Sequence, residues 1–235
     1  MAQTDRWPHL IYPPKAPEST PMIRLYNYVL SAECHAVQWL LRLLDLPFET
    51  IDVDMHPGLA HRSAAFISEV NPKGTLPVLI DGPDKLCTVP DILLHLARRY
   101  DAEQRWLPPA QQASVQAWLS HAEHLQDTVG ALRWRAVMDA DLSPSAQDLA
   151  AGHAALRTLD DHLCRERAAG LAWLTGPSPS IADIACFPLV ALCGDAGLQL
   201  DDMPSLRLWM QGVRRLPGFM TMPGPPPKGR SSTRR

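Results

Sequence analysis

The stretch Asn71-Pro-Lys-Gly-Thr-Leu-Pro-Val-Leu-Ile-Asp-Gly82 limits what this chain can fold into more than any other. Pro72 and Gly74 mark a turn, and Pro77 heads the apolar run Val78-Leu79-Ile80. Proline has no N–H to give to a ladder, so a strand accepts it at its first residue and scarcely elsewhere. Asp81-Gly82 then signals a hairpin. Any edge strand can begin with proline, so the flanks decide between a generic sheet and a particular one. Upstream, Met22 to Tyr26 alternates and suits a first strand. Ser31 looks like an N-cap with Glu33 in the first turn, and Val37, Leu40, Leu41 and Leu44 follow at helical spacing. Phe48 to Val53 alternates again. A strand, a helix and a strand so connected predict a parallel βαβ unit. His56 to Val70 reads as a loop with a short helix, Lys85 to Thr88 as the hairpin partner, and Ile92 to Tyr100 as a closing helix.

After Asp101 to Gln112, a linker holding Pro108-Pro109, the period changes and no strand pattern recurs. Helical spacing runs through Val115–Met138, Leu149–Arg167, Ile181–Leu192 and Leu206–Leu216. A strand-rich half followed by a helical half predicts two domains, 22–101 and 112–220. An irregular arm (1–21) and a proline-rich, late-basic tail (221–235) flank them. Ser180 and Asp183 have capping-box spacing at the head of one helix, a cap worth about 1 kcal/mol.

The charge balance, −3 over 235 residues, gives no reason to expect nucleic acid or a membrane surface as partner, and no apolar run reaches spanning length. Cys34, Cys87, Cys164, Cys186 and Cys193 are odd in number and scattered, which fits reduced thiols in a cytoplasm better than a disulfide frame. The first twenty residues lack the apolar core of a signal peptide. His121 and His124 lie three apart on one helical run with no third ligand of fitting spacing, so no metal site is expected.

Several segments, in order, resemble one family. They are Leu25-Tyr-Asn-Tyr-Val-Leu-Ser31-Ala-Glu-Cys34-His-Ala-Val, the Pro77 stretch, Leu174-Thr-Gly-Pro-Ser-Pro-Ser-Ile-Ala-Asp183, Met203-Pro-Ser-Leu-Arg-Leu-Trp209 and Leu216-Pro-Gly-Phe219. From about Met22 to Phe219 the chain resembles the glutathione transferases, in particular a serine-type, theta-like bacterial subgroup. The resemblance implies an α/β thioredoxin-like N-terminal domain plus an all-α C-terminal domain, paired in a cytoplasmic homodimer. It implies glutathione as co-substrate, activated as a thiolate and delivered to a hydrophobic electrophile. By the same resemblance the Leu76–Pro77 bond is cis and Leu76 offers its backbone to the bound peptide, with Lys73, Thr88 and Val89 also around it.

Glutathione chemistry needs a donor at the sulfur, because an ordinary thiol of pKa about 8.5 is mostly protonated at neutral pH. Ser31 falls where the family's active serine stands, although a serine before an apolar-periodic run also serves simply as a cap. Cys34 forms a Ser-x-x-Cys pair with it and reads as a buried structural thiol; Tyr26 and Tyr28 are further phenols near that point. Tyr28, Leu30, Trp118, His121 and Trp134 are the positional candidates for the electrophile pocket. The chain departs from the family at Thr88-Val89, where Glu-Ser or Asp-Ser usually holds the γ-glutamyl end. Asp91 is a nearby substitute for the missing acid. A non-catalytic ligand-binding or scaffold protein and a glutathione-dependent disulfide reductase are the competing readings.

Overall fold

The computed structural model describes residues 22–138 and 143–223; the N-terminal arm and most of the tail lie outside the described residues. Four strands form one sheet: β1 (Ile23–Asn27), β2 (Phe48–Asp52), β3 (Val78–Asp81) and β4 (Asp84–Leu86), in the order β2-β1-β3-β4. β1 and β2 are parallel, pairing Ile23 with Phe48, while β3 is antiparallel to both β1 and β4, with Leu79 opposite Leu25 and Leu86. The crossover between β1 and β2 is α1 (Ala32–Leu43), and α2 (Val89–Tyr100) follows β4. The hairpin partner begins and ends a little earlier than its composition suggests, because Thr88 is drawn off to cap α2.

Alternation along the strands divides the sheet's two faces. Leu25 and Leu79, both fully buried, join Val37, Leu40, Leu41, Ile92, Leu93 and Leu96 in the main core. Val78, Leu76 and Phe66 form a smaller cluster on the opposite side, joined by Tyr26. Each fully buried aliphatic side chain contributes roughly 1.5–3 kcal/mol, enough to specify which face each strand presents. β3 is also pinned at its end. The buried Asp81 accepts hydrogen bonds from the Tyr100 hydroxyl (2.8 and 2.9 Å) and lies 2.7 Å from His95 Nε2, both on α2.

The helical half consists of α3 (Gln112–Leu125), α4 (Ala131–Met138), α5 (Ala146–Ala168), α6 (Ile181–Ala191) and α7 (Pro204–Val213). The sequence reads 115–138 as one helix, but Gln126–Gly130 winds as a π-helical turn between α3 and α4. α6 is buried from Ile181 to Val190, as expected of a helix that is apolar all round. It packs on α3 and also on α1 and α2, so the main core runs without a break from one domain into the other. Trp39 of α1 completes that junction: its Nε1 donates to Gly218 O (3.1 Å), and its ring meets Phe187 and Phe219 edge-on.

The Ser180–Asp183 box holds more than a helix end. Asp183 is fully buried and accepts from Ser180 N (2.9 Å), Leu174 N (3.1 Å) and Trp209 Nε1 (2.8 Å). A cap worth about 1 kcal/mol understates it, because losing the carboxylate would strand three donors in the core.

Candidate functional site

The turn before β3 sets up the site. Asn71 Nδ2 donates to Thr75 O (2.9 Å), and its Oδ1 accepts from Lys73 N (3.0 Å). Gly74 sits at φ +61°, where a Cβ would come within 3.0 Å of His61 O, so glycine suits both the backbone and the space. The chain then enters β3 through a cis Leu76–Pro77 bond. The ladder begins at Val78, which leaves the Leu76 N–H and C=O outside it.

Two adjoining cavities lie where this turn faces α1, α3 and α6. The larger, about 550 Å³, brings together Lys73, Leu76, Pro77, Thr88 and Val89. The smaller, about 170 Å³, is bounded by Leu30, Ser31, Met55, Arg133 and Trp134. Glu33, Thr75, Leu76, Gln126 and Leu189 line both. Residues read from sequence as peptide-binding thus share one cavity, and Ser31 stands in the other.

Ser31 is an N-cap in extended conformation, its Oγ accepting from Cys34 N at 3.1 Å. The bond uses an oxygen lone pair and leaves the hydroxyl proton free to donate, so capping and thiolate contact are compatible. Cys34 is fully buried, and burial pushes its thiol up to about 12. At neutral pH it is an inert packing group.

At the other end, Thr88 caps α2 through Oγ1, accepting from Asp91 N (3.2 Å) and donating to Asp91 Oδ2 (2.7 Å). Asp91 is therefore turned back onto its own helix and lines a separate depression with His95 and Arg98. It is not among the residues lining the larger cavity. Glu33, Glu123 and Asp127 line the larger cavity instead. Burial, followed by the charges of Asp127 and Glu123, pushes the Glu33 carboxyl up to about 8. Glu33 is thus largely neutral at pH 7.

Three of the five positional candidates for the electrophile pocket, Tyr28, Trp118 and His121, are not among the residues lining either cavity. Trp118 packs on His162 (centroids 4.5 Å) and His121 (5.1 Å), and His121 Nε2 lies 3.1 Å from Ala155 O of α5. Both side chains point to the α5 side of α3, whereas Ala122, Glu123 and Gln126 face the cleft. Leu30 and Trp134 do line the smaller cavity. Tyr28 packs edge-on against Trp134 (5.9 Å) and donates to Met138 Sδ (3.8 Å).

Sequence reasoning missed Glu33 as a cleft residue, along with Glu123, Asp127 and Arg133. The four-residue spacing of Glu123 and Asp127, one helical turn apart, is a signal that could have paired them. Arg133 is 5% exposed; its Nε donates to Asp195 (3.0 Å) and Nη1 to Leu30 O (2.7 Å).

A four-stranded sheet with its helices, packed against an all-helical domain, is the architecture of a thioredoxin-like domain joined to a helical one. Residues 25–104 match the family description "Glutathione S-transferase, N-terminal domain", and 112–212 match its C-terminal domain. The chain belongs to the glutathione S-transferase family. It is 33% identical over 209 residues to human glutathione S-transferase theta-1, covering 83% of this chain and 84% of that one. It is 28% identical to glutathione S-transferase 3 of Zea mays, with coverages of 89% and 99%. The crystal structure of a glutathione S-transferase from Pseudomonas fluorescens superposes with a TM-score of 0.75 at 25% identity, over 86% of this chain and 98% of that one.

Proposed function

We propose that the cleft activates glutathione as a thiolate and transfers it to a hydrophobic electrophile held in the smaller cavity. Glutathione transferase activity with glutathione as co-substrate is the reading that the family and its theta-class relatives support. The observation that carries the site assignment is the turn into β3, whose Leu76 lines both cavities, with Thr88 and Val89 in the wall of one and Ser31 in the wall of the other. The cysteinyl part of glutathione adds to that turn as a short strand. Its sulfur then lies at the Ser31 hydroxyl and the N-terminus of α1, where a donated hydrogen bond and the helix dipole both favour S⁻.

Val89 N–H and the Lys73 ammonium receive carboxylates of the tripeptide, and Glu123 and Asp127 meet its ammonium, the task an acid at position 88 would otherwise perform. Thr88 serves α2 rather than the ligand. Two chains pair as a cytoplasmic homodimer, as the family resemblance implies; no described helix is long and apolar enough to cross a membrane. Calorimetric titration of the purified protein with glutathione, after retention on immobilised glutathione, tests the reading. Saturable one-to-one binding is expected, and its absence would favour the scaffold alternative, for which the occupied Thr88 hydroxyl is the supporting observation. The disulfide-reductase alternative gains nothing from Cys34, whose thiol stays protonated.

A further inference from the structure

Arg133, one of the residues lining the smaller cavity, carries a nitrogen that its packing does not use. Arg133 belongs to α4, and its side chain is 7% exposed. Asp195 takes Nε and the Leu30 carbonyl takes Nη1, but Nη2 is buried with no hydrogen-bond partner. A buried donor left unsatisfied is costly and rare, and a guanidinium is built to grip a planar oxyanion. Leu30, Met55, Trp134 and Leu189 give the cavity an apolar side, with Glu33, Thr75 and Gln126 also in its wall, and the volume of about 170 Å³ suits a body of only a few heavy atoms. Ser31, the sulfur-activating hydroxyl of the proposed reaction, lines the same cavity.

We propose that Arg133 is a specificity-determining residue that selects small electrophiles bearing a carboxylate. The inference rests on the transferase reading above. The carboxylate docks on the Nη2 edge while the electrophilic carbon is turned toward the sulfur. For an α-haloacid the thiolate lone pair forms the S–C bond, the C–halogen bond breaks, and halide leaves with its electron pair; the carboxylate is unchanged. Glu33, which lines the same cavity, is mostly protonated at neutral pH and so does not repel the anion.

The test uses two glutathione thioethers that differ only in that group, S-(carboxymethyl)glutathione and S-(carbamoylmethyl)glutathione. Calorimetric titration of the full chain reports the binding of each. The acid is expected to bind about tenfold to a hundredfold more tightly than the amide, the range a charged hydrogen bond supplies. In Arg133→Gln that preference should vanish while the amide's Kd stays within about threefold. Turnover provides a second readout: the enhancement over the uncatalysed rate should be greater for iodoacetate than for iodoacetamide in the native protein, and equal in the variant. Equal affinities in the native protein would overturn the assignment even if Arg133→Gln failed to fold. A variant that loses acid and amide together would instead make Arg133 a brace for Leu30 and overturn it too. Failure of both thioethers and of glutathione to bind would bring down the transferase reading, and this inference with it.

Discussion

Replacing Glu33 with Gln should make the protein more stable in mild alkali, and the structure fixes both the sign and the window. The Glu33 carboxyl titrates near 4.5 in an unfolded chain and near 8 in the fold, chiefly because burial disfavours its charge. Between those values the native state holds a proton that the unfolded state has released. Stability therefore falls as pH climbs from about 4.5 to about 8, then levels off. A gap of about 3.5 pH units sets a ceiling of about 5 kcal/mol. Glu33 keeps some contact with solvent in the open cleft, so we take about 2 kcal/mol as the realised cost. Gln keeps the shape and stays neutral. The variant should match the native protein at pH 5 and exceed it by about 2 kcal/mol at pH 9, roughly 4–8 °C in Tm. Urea titrations at pH 5, 7 and 9 measure this directly. A difference that is constant across the three would refute a buried, proton-holding carboxyl, since only titration makes the gap grow.

Ser31→Ala should raise the thiol pKa of bound glutathione by about one to two units, the equivalent of a charged hydrogen bond, with little change in Kd. Thiolate absorbance and the pH–rate profile with an aryl halide report it, and an unmoved pKa would reduce Ser31 to its cap. Val89→Ser should tighten glutathione binding about tenfold by adding a hydroxyl donor for a carboxylate; an unchanged Kd by calorimetry would mean that the carboxylate is held elsewhere. Asp183→Ala should cost at least about 3 kcal/mol, because it strands Ser180 N, Leu174 N and Trp209 Nε1 in the core. Chemical denaturation checks it, and a loss near 1 kcal/mol would show that water replaces the carboxylate.

The fold was legible because its signals are local. Period-2 runs, the Ser31 and Ser180 caps, and Pro77 at a strand head each commit a few neighbouring residues, and they agree with one another. The candidate site was legible where position along the chain decides, at Leu76–Pro77, at the head of α2 and at Ser31, Leu30 and Trp134, all of which line the two cavities. Side-chain direction around α3 was not. Trp118 and His121 looked suited to binding, yet one turn of helix separates the α5 side from the cleft side, and only the neighbours on each side decide which is which. The burial of Arg133 was equally hidden, since its counter-ion lies 62 residues further on. Glu33 read as a helix-dipole acid, which it is by position. Its second character comes first from burial and then from the charges of Asp127 and Glu123, which arrive from the other domain.

Trp39 gives the chain a property its domain boundary conceals. The indole belongs to the first helix of the first domain, yet its N–H bond and two of its ring contacts are made to residues 187 to 219. A stretch translated 179 residues later thus closes the core around the first helix. The first domain stays incompletely sealed around Trp39 until residues 187 to 219 are in place. Heat or denaturant runs the same event backwards. The two domains, so distinct in sequence, should melt in one transition and exchange their deepest amide protons at a common rate.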